Sequence, residues 1–175
     1  MSIETQPRLW TPSGFREDEW RHAEAFDPAE EPAARLILPL EAWLALSTDV
    51  RAEHAERLGV KLAAGEAVGA ILPHLSALPL IALVFPSFSD GRSFSKAALL
   101  RREGYSGALR AVGDVLFDQI AHMIRTGFTE FEVSNPTALR RLAEGRLGGL
   151  PLHYQPAVAA AATGAGFAWR RRPTA

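Results

Sequence analysis

FPSFSDGRSFSKAALLRREGYSGALRAVGDVLFDQIAHM, residues 85–123, alternates apolar runs with polar junctions marked by glycine. It begins as the end of IALVF (81–85), a continuous apolar run that suits a strand buried on both faces, as in a parallel sheet. Pro86–Arg92 reads as a polar loop. Ser93 or Ser95 is expected to cap a helix that places Phe94, Ala97 and Leu100 on one face and stops before Gly104. Leu109–Gly113 reads as the next strand. Asp114 then caps a helix striped by Leu116, Ile120, Met123 and Ile124. A strand, loop and helix repeated twice in one stretch is the rhythm of an α/β fold.

The same rhythm extends in both directions. Leu36–Leu38, closed by Pro39, reads as a strand and Leu40–Leu46 as a helix. A second helical run from Ser47 or Asp49 stops at Gly59, and Val60–Ala63 follows as a short strand. Gly65–Ala77 is expected to be helical, broken at Pro73. Downstream, Phe131–Val133 is a strand, and Ser134-Asn135-Pro136 opens a helix carrying Leu139 and Leu142. Leu150–Tyr154 and Ala157–Ala162 read as a last strand and helix. The expected architecture is α/β, with a mostly parallel sheet of five or six strands alternating with helices. It is either open and doubly wound or partial-barrel-like, with right-handed crossovers. Residues 34–163 form this domain and 164–175 a tail. Residues 1–33 form an arm whose Trp10, Phe15 and Trp20 dock it on the body, as a short hairpin.

A chain of 175 residues is long enough to bury one core without covalent staples. It has no cysteine, which excludes disulfides, thiolate metal sites and thiol redox chemistry through its own residues. Met1–Trp10 lacks the apolar segment of a signal peptide, and Leu78–Phe85, the longest apolar run, is far short of a membrane span. A cytoplasmic protein is expected. Net charge is −1 but unevenly placed: residues 1–33 hold eight acidic and three basic side chains, and residues 139–175 six arginines and one glutamate. Only Lys61 and Lys96 among the 19 basic residues are lysines. That bias suits planar contacts to carboxylate, phosphate or sulfate. No interleaving of aromatic and basic residues points to nucleic acid.

In parallel α/β folds ligands sit beyond the carboxyl ends of strands, which directs attention to the loops at 86–92, 113–114 and 134–135. The expected anion or ligand site comprises Ser89, Asp90, Gly91, Arg92, Ser93, Lys96, Arg110, Gly113 and Asp114, with Asp90 and Asp114 as catalytic candidates. Arg110, inside a strand, needs a carboxylate or a ligand, and Asp90, Asp114 and Asp118 are the candidates. Asp118 and His122, four apart on one helix, are spaced to meet. No P-loop, GxGxxG, GxSxG or metal-ligand spacing is present.

The run PSFSDGRSFSKAALLRREGYSGALRAVGDVLFDQIAHMIRTGFTEFEV (86–133), with LILPLEAWLAL (36–46), resembles the bacterial domain-of-unknown-function family 934 over roughly residues 34 to 155. DGR, LRAVGDV and DQ carry the resemblance, at Asp90, Gly91, Arg92, Arg110, Gly113, Asp114, Asp118 and Gln119. Members are often labelled as oxidoreductases involved in sulfite reduction. The resemblance therefore implies a role in assimilatory sulfur metabolism, with sulfite reductase or another sulfur-assimilation protein as partner. It assigns no catalytic residue and names no cofactor. With no dinucleotide fingerprint and no cysteine, the residues favour an accessory or anion-binding protein; the alternative is an enzyme acting on a small oxyanion or phosphorylated metabolite.

Overall fold

The computed structural model describes residues 6–29 and 33–147. Three short strands come from the arm: β1 (Arg8–Thr11), β2 (Gly14–Arg16) and β3 (Trp20–His22). β4 (Arg35–Pro39) leads into α1 (Leu40–Ala45) and α2 (Thr48–Glu53). β5 (Leu58–Leu62) leads into two 3-10 segments, Val68–Ala70 and Leu72–Ala77. β6 (Leu80–Phe85) feeds α3 (Arg92–Arg102), β7 (Ala108–Gly113) feeds α4 (Phe117–Arg125), and β8 (Glu130–Val133) feeds α5 (Pro136–Ala143).

The sheet runs in the order β2-β1-β8-β7-β6-β5-β4-β3. β3 to β8 are parallel neighbours, whereas β1 lies antiparallel to β8 and β2 antiparallel to β1. Eight strands exceed the five or six expected. The five strands expected from the body are β4 to β8, and the excess is the arm's. Its strands are three or four residues long and rich in Arg, so no period-two apolar pattern announces them.

The strand order from β4 to β8 follows the chain, and the helices share one face, so the winding is that of a partial barrel. Leu36, Leu38, Val60, Ile81, Leu83, Phe85, Leu109, Ala111 and Phe131 form one buried cluster with Trp43 of α1, Leu100 of α3, Ile120 and Met123 of α4 and Leu142 of α5. The other face carries a separate cluster of Ile37, Leu80, Ala82 and Val112, covered by the arm's Trp20. Gly59 leaves the room: a Cβ there would lie 3.3 Å from the Trp20 ring.

The arm also fixes the curvature. β2 ends at Arg16 and β3 begins at Trp20, yet they form opposite ends of the sheet. Four residue steps of extended chain reach at most about 14 Å. The sheet must curl until its two ends nearly meet, as a half-barrel with helices outside and the arm across the concave side.

Local signals hold in part. Asn135 accepts hydrogen bonds from the Thr137 and Ala138 N–H groups, with Pro136 in the first helical position. In contrast, α3 starts earlier than Ser93, with Gly91 at its N-cap, and Leu116 rather than Asp114 precedes α4. The 65–77 stretch makes 3-10 turns in place of a helix, since Gly65, Gly69 and Pro73 each disfavour continuous α-structure. The strand and helix expected at 150–154 and 157–162 lie outside the described residues.

Candidate functional site

Phe85 at the end of β6 pairs with Gly113 at the end of β7, so the loops that follow leave the sheet side by side. Gly113 has φ +94°, and a Cβ on it would lie 2.4 Å from the Phe85 carbonyl oxygen. Glycine is required for that approach. The turn lets the Asp114 N–H donate to the Phe85 carbonyl at 2.8 Å. Released from capping α4, the Asp114 carboxylate reaches into the neighbouring loop, where its Oδ2 accepts the Phe88 N–H at 2.9 Å. From α4, Gln119 Nε2 donates to the Phe88 carbonyl at 2.6 Å. The backbone of Phe88 is thus held on both sides, while its side chain is 56% exposed.

Asp90 and Arg92 close the same loop on itself. Asp90 Oδ1 accepts from the Arg92 backbone N–H at 3.1 Å and from its Nε at 2.9 Å, and Oδ2 accepts from Nη2. Those hydrogen bonds hold the Asp90 carboxyl down to about 2. Asp90 is therefore a weak base at neutral pH. Its carboxylate also occupies the anion position at the start of α3. Ser89 pairs with Ser87 through their hydroxyls at 3.1 Å. Ser93 turns inward and donates to the Val84 carbonyl at 2.6 Å, tying α3 to β6. Lys96 donates to the Ala63 carbonyl, and burial pushes its pKa down.

Ser89, Asp90, Gly91, Arg92, Ser93, Lys96, Gly113 and Asp114 are thus grouped around the carboxyl-terminal ends of β6 and β7. Arg110 is not among them. It sits on the concave face, fully buried, and its partners are Asp18, Glu130 and Glu132 rather than Asp90, Asp114 or Asp118. Nη1 and Nη2 meet the two Asp18 oxygens at 2.8 and 2.9 Å, Nε meets Glu130 at 2.8 Å, and Nη1 meets Glu132 at 3.1 Å. Burial would lower the Arg110 pKa, but hydrogen bonds and charge from Asp18 and Glu130 outweigh it and hold the guanidinium charged. His22 Nε2 lies 2.8 and 3.1 Å from the two Glu132 oxygens. Burial raises the Glu132 carboxyl, yet its bonds to His22 and Arg110 bring it below the ordinary value. Among the described residues no group of three or more His, Asp or Glu side chains is arranged to hold a metal ion. Here the guanidinium supplies the cation.

The expected meeting of Asp118 and His122 takes a different form. The His122 ring bonds Arg125 at 2.9 Å and packs on Phe94 with centroids 4.6 Å apart, and no bond joins it to Asp118 among the described residues. Burial and the Arg125 charge push its pKa down. Arg101 carried no signal beyond its charge, yet it donates to the backbone carbonyls of Tyr105, Gly107 and Gly127. It staples the end of α3 to the turns before β7 and β8. Asp18, His22, Glu130 and Glu132 had no local marker either, because their common partner is reached only through the fold.

No described helix is long and apolar enough to cross a membrane. A search of curated proteins gives no match. Residues 59–164 match the family model described as a bacterial protein of unknown function (DUF934), starting at β5 and thus after the arm and the LILPLEAWLAL run. The match spans more than half of the 175 residues and includes both loops at the ends of β6 and β7, and the chain belongs to that family.

Proposed function

We propose that the protein is an accessory factor of assimilatory sulfur metabolism that docks on another protein through its β6 and β7 loops. The observation that carries the reading is Phe88, whose ring stands in solvent while its N–H and carbonyl are pinned by Asp114 and Gln119. A preorganised exposed aromatic loses little freedom on binding and suits a contact anchor. The neighbouring polar groups favour docking over capture of a free oxyanion. Asp90 already places a carboxylate at the start of α3, and Lys96 is engaged with a carbonyl. The sulfur assignment rests on the resemblance of the DGR, LRAVGDV and DQ run to proteins labelled for sulfite reduction, and the proposed partner is sulfite reductase.

Binding to purified sulfite reductase, measured by biolayer interferometry, tests the reading. The wild-type chain binds, and Phe88→Ala weakens binding about tenfold or more, the scale of a contact anchor, with its melting temperature unchanged. No binding, or equal binding by Phe88→Ala, refutes it. Normal growth of a deletion strain on sulfate as sole sulfur source refutes the pathway. A thermal-shift series with sulfate, sulfite and phosphate runs beside it. Stabilisation that Arg92→Ala abolishes would transfer the loop to the oxyanion-enzyme reading.

A further inference from the structure

A cavity of about 200 Å³ lies away from these loops, beside the start of β5 and the end of the 72–77 segment. Its walls are mostly apolar: buried Trp43 and Leu58, with Ala52, Ala55 and Ala77. Arg51, Thr48 and His74 bring polar atoms to the same space. The Arg51 guanidinium stacks over the Trp43 ring, 4.6 Å from its centroid, and the His74 ring meets that indole edge-on at 5.2 Å. The Arg51 Nε–H is buried and without a hydrogen-bond acceptor. Among the described residues Arg51 makes no ion pair at all, whereas Arg101 donates to four carbonyl contacts and Arg110 meets three carboxylates.

A buried donor without an acceptor is unfavourable, and such groups in folded proteins call for a water, an ion or a ligand. Arginine presents its Nη–H groups as a planar fork that a carboxylate matches with two parallel bonds, and stacking on an indole fixes the plane of that fork. Apolar walls with a few convergent polar groups are the usual make-up of a small-molecule pocket. An apolar cavity of about 150 Å³ takes a benzene ring, so this volume suits a body of one ring. We propose that this cavity is a binding site for a small carboxylate with a compact apolar body. Its carboxylate pairs with the accessible Nη groups of Arg51 and its body packs on Trp43, Leu58 and the alanines.

Benzoate and its neutral analogue benzyl alcohol are the probes, titrated into the full chain and followed by the NMR signals of the Arg51 Nε–H and the Trp43 indole. Benzoate shifts both signals and binds at least tenfold more tightly than benzyl alcohol. Arg51→Gln removes that preference while retaining the weaker binding of benzyl alcohol. Ala55→Leu, which fills the cavity, blocks both probes with the circular dichroism spectrum unchanged. The proposal is overturned if millimolar benzoate leaves both signals in place, or if the two probes bind the wild type equally. The wild-type comparison stands alone if either variant fails to fold.

Discussion

Arg110 and Arg92 head arginine–carboxylate assemblies built on opposite plans. Arg110 is fully buried, and its partners lie 20, 22 and 92 positions away in the chain. Arg92 is 60% exposed, and its partner Asp90 lies two positions away. The first joins the arm, β7 and β8 into one body, so its loss is felt by the whole sheet. The second shapes a single loop and leaves the core untouched. A charge pair in water is worth little because solvent competes for both partners, whereas breaking a buried one strands the rest without compensation. The concave cluster therefore belongs to stability, and the loop is free to serve binding.

The sharpest way to break this contrast is to remove each arginine. Arg110→Met, which leaves three carboxylates facing one another, is expected to cost about 3–5 kcal/mol in urea unfolding. Arg92→Met should leave the urea midpoint close to that of the wild type. Equal losses would erase the distinction.

Next in size is Gly113→Ala, which puts a Cβ against the Phe85 carbonyl in a left-handed backbone. A loss of about 2–3 kcal/mol is expected, accompanied by faster amide exchange at Phe88 as Asp114 is displaced. Intact protection of Phe88 in that variant would show that Asp114 does not depend on the turn.

Asp114→Asn weakens one hydrogen bond at an exposed loop, so about 1 kcal/mol or less is expected. The effect appears chiefly as raised exchange at the Phe88 N–H, with the β7 amides unchanged.

The smallest effect is acid opening of the loop. A carboxyl depressed on folding stabilises its contacts above its free value, near 3.8 for Asp90, and loses that contribution as pH falls toward its folded value of about 2. The Arg92 Nε–H signal should hold its position at pH 5 and move with a midpoint near pH 2 while the core signals stay. Movement already at pH 5 would contradict the clamp.

Much of the architecture is legible residue by residue. IALVF, LIL and the glycine-marked junctions place β4 to β8 and the helices after β4, β6, β7 and β8, because burial on both faces forces continuous apolar runs and helix ends favour glycine and asparagine. The loops at Asp90 and Asp114 are legible for the same reason, each following a strand that periodicity locates. The roles within them are less so. Asp114 reads as a cap, but a cap and a cross-loop acceptor need the same short carboxylate, and the Gly113 turn decides between them. Arg110 is visible as an anomaly in a strand; its partner Asp18 is not.

By itself, then, the amino-acid sequence determines that this is a βα-repeating chain without thiol chemistry, with polar loops after β6 and β7 and a motif run shared with its family. Local preference suffices for that, since turn chemistry and apolar period act within a few residues. Tertiary structure alone decides that the sheet curls, that the arm supplies both its ends, that Asp18 meets Arg110, and that Trp43 and Arg51 wall a cavity. Those outcomes depend on which distant faces bury one another, and no pattern along the chain encodes a contact that only closure creates.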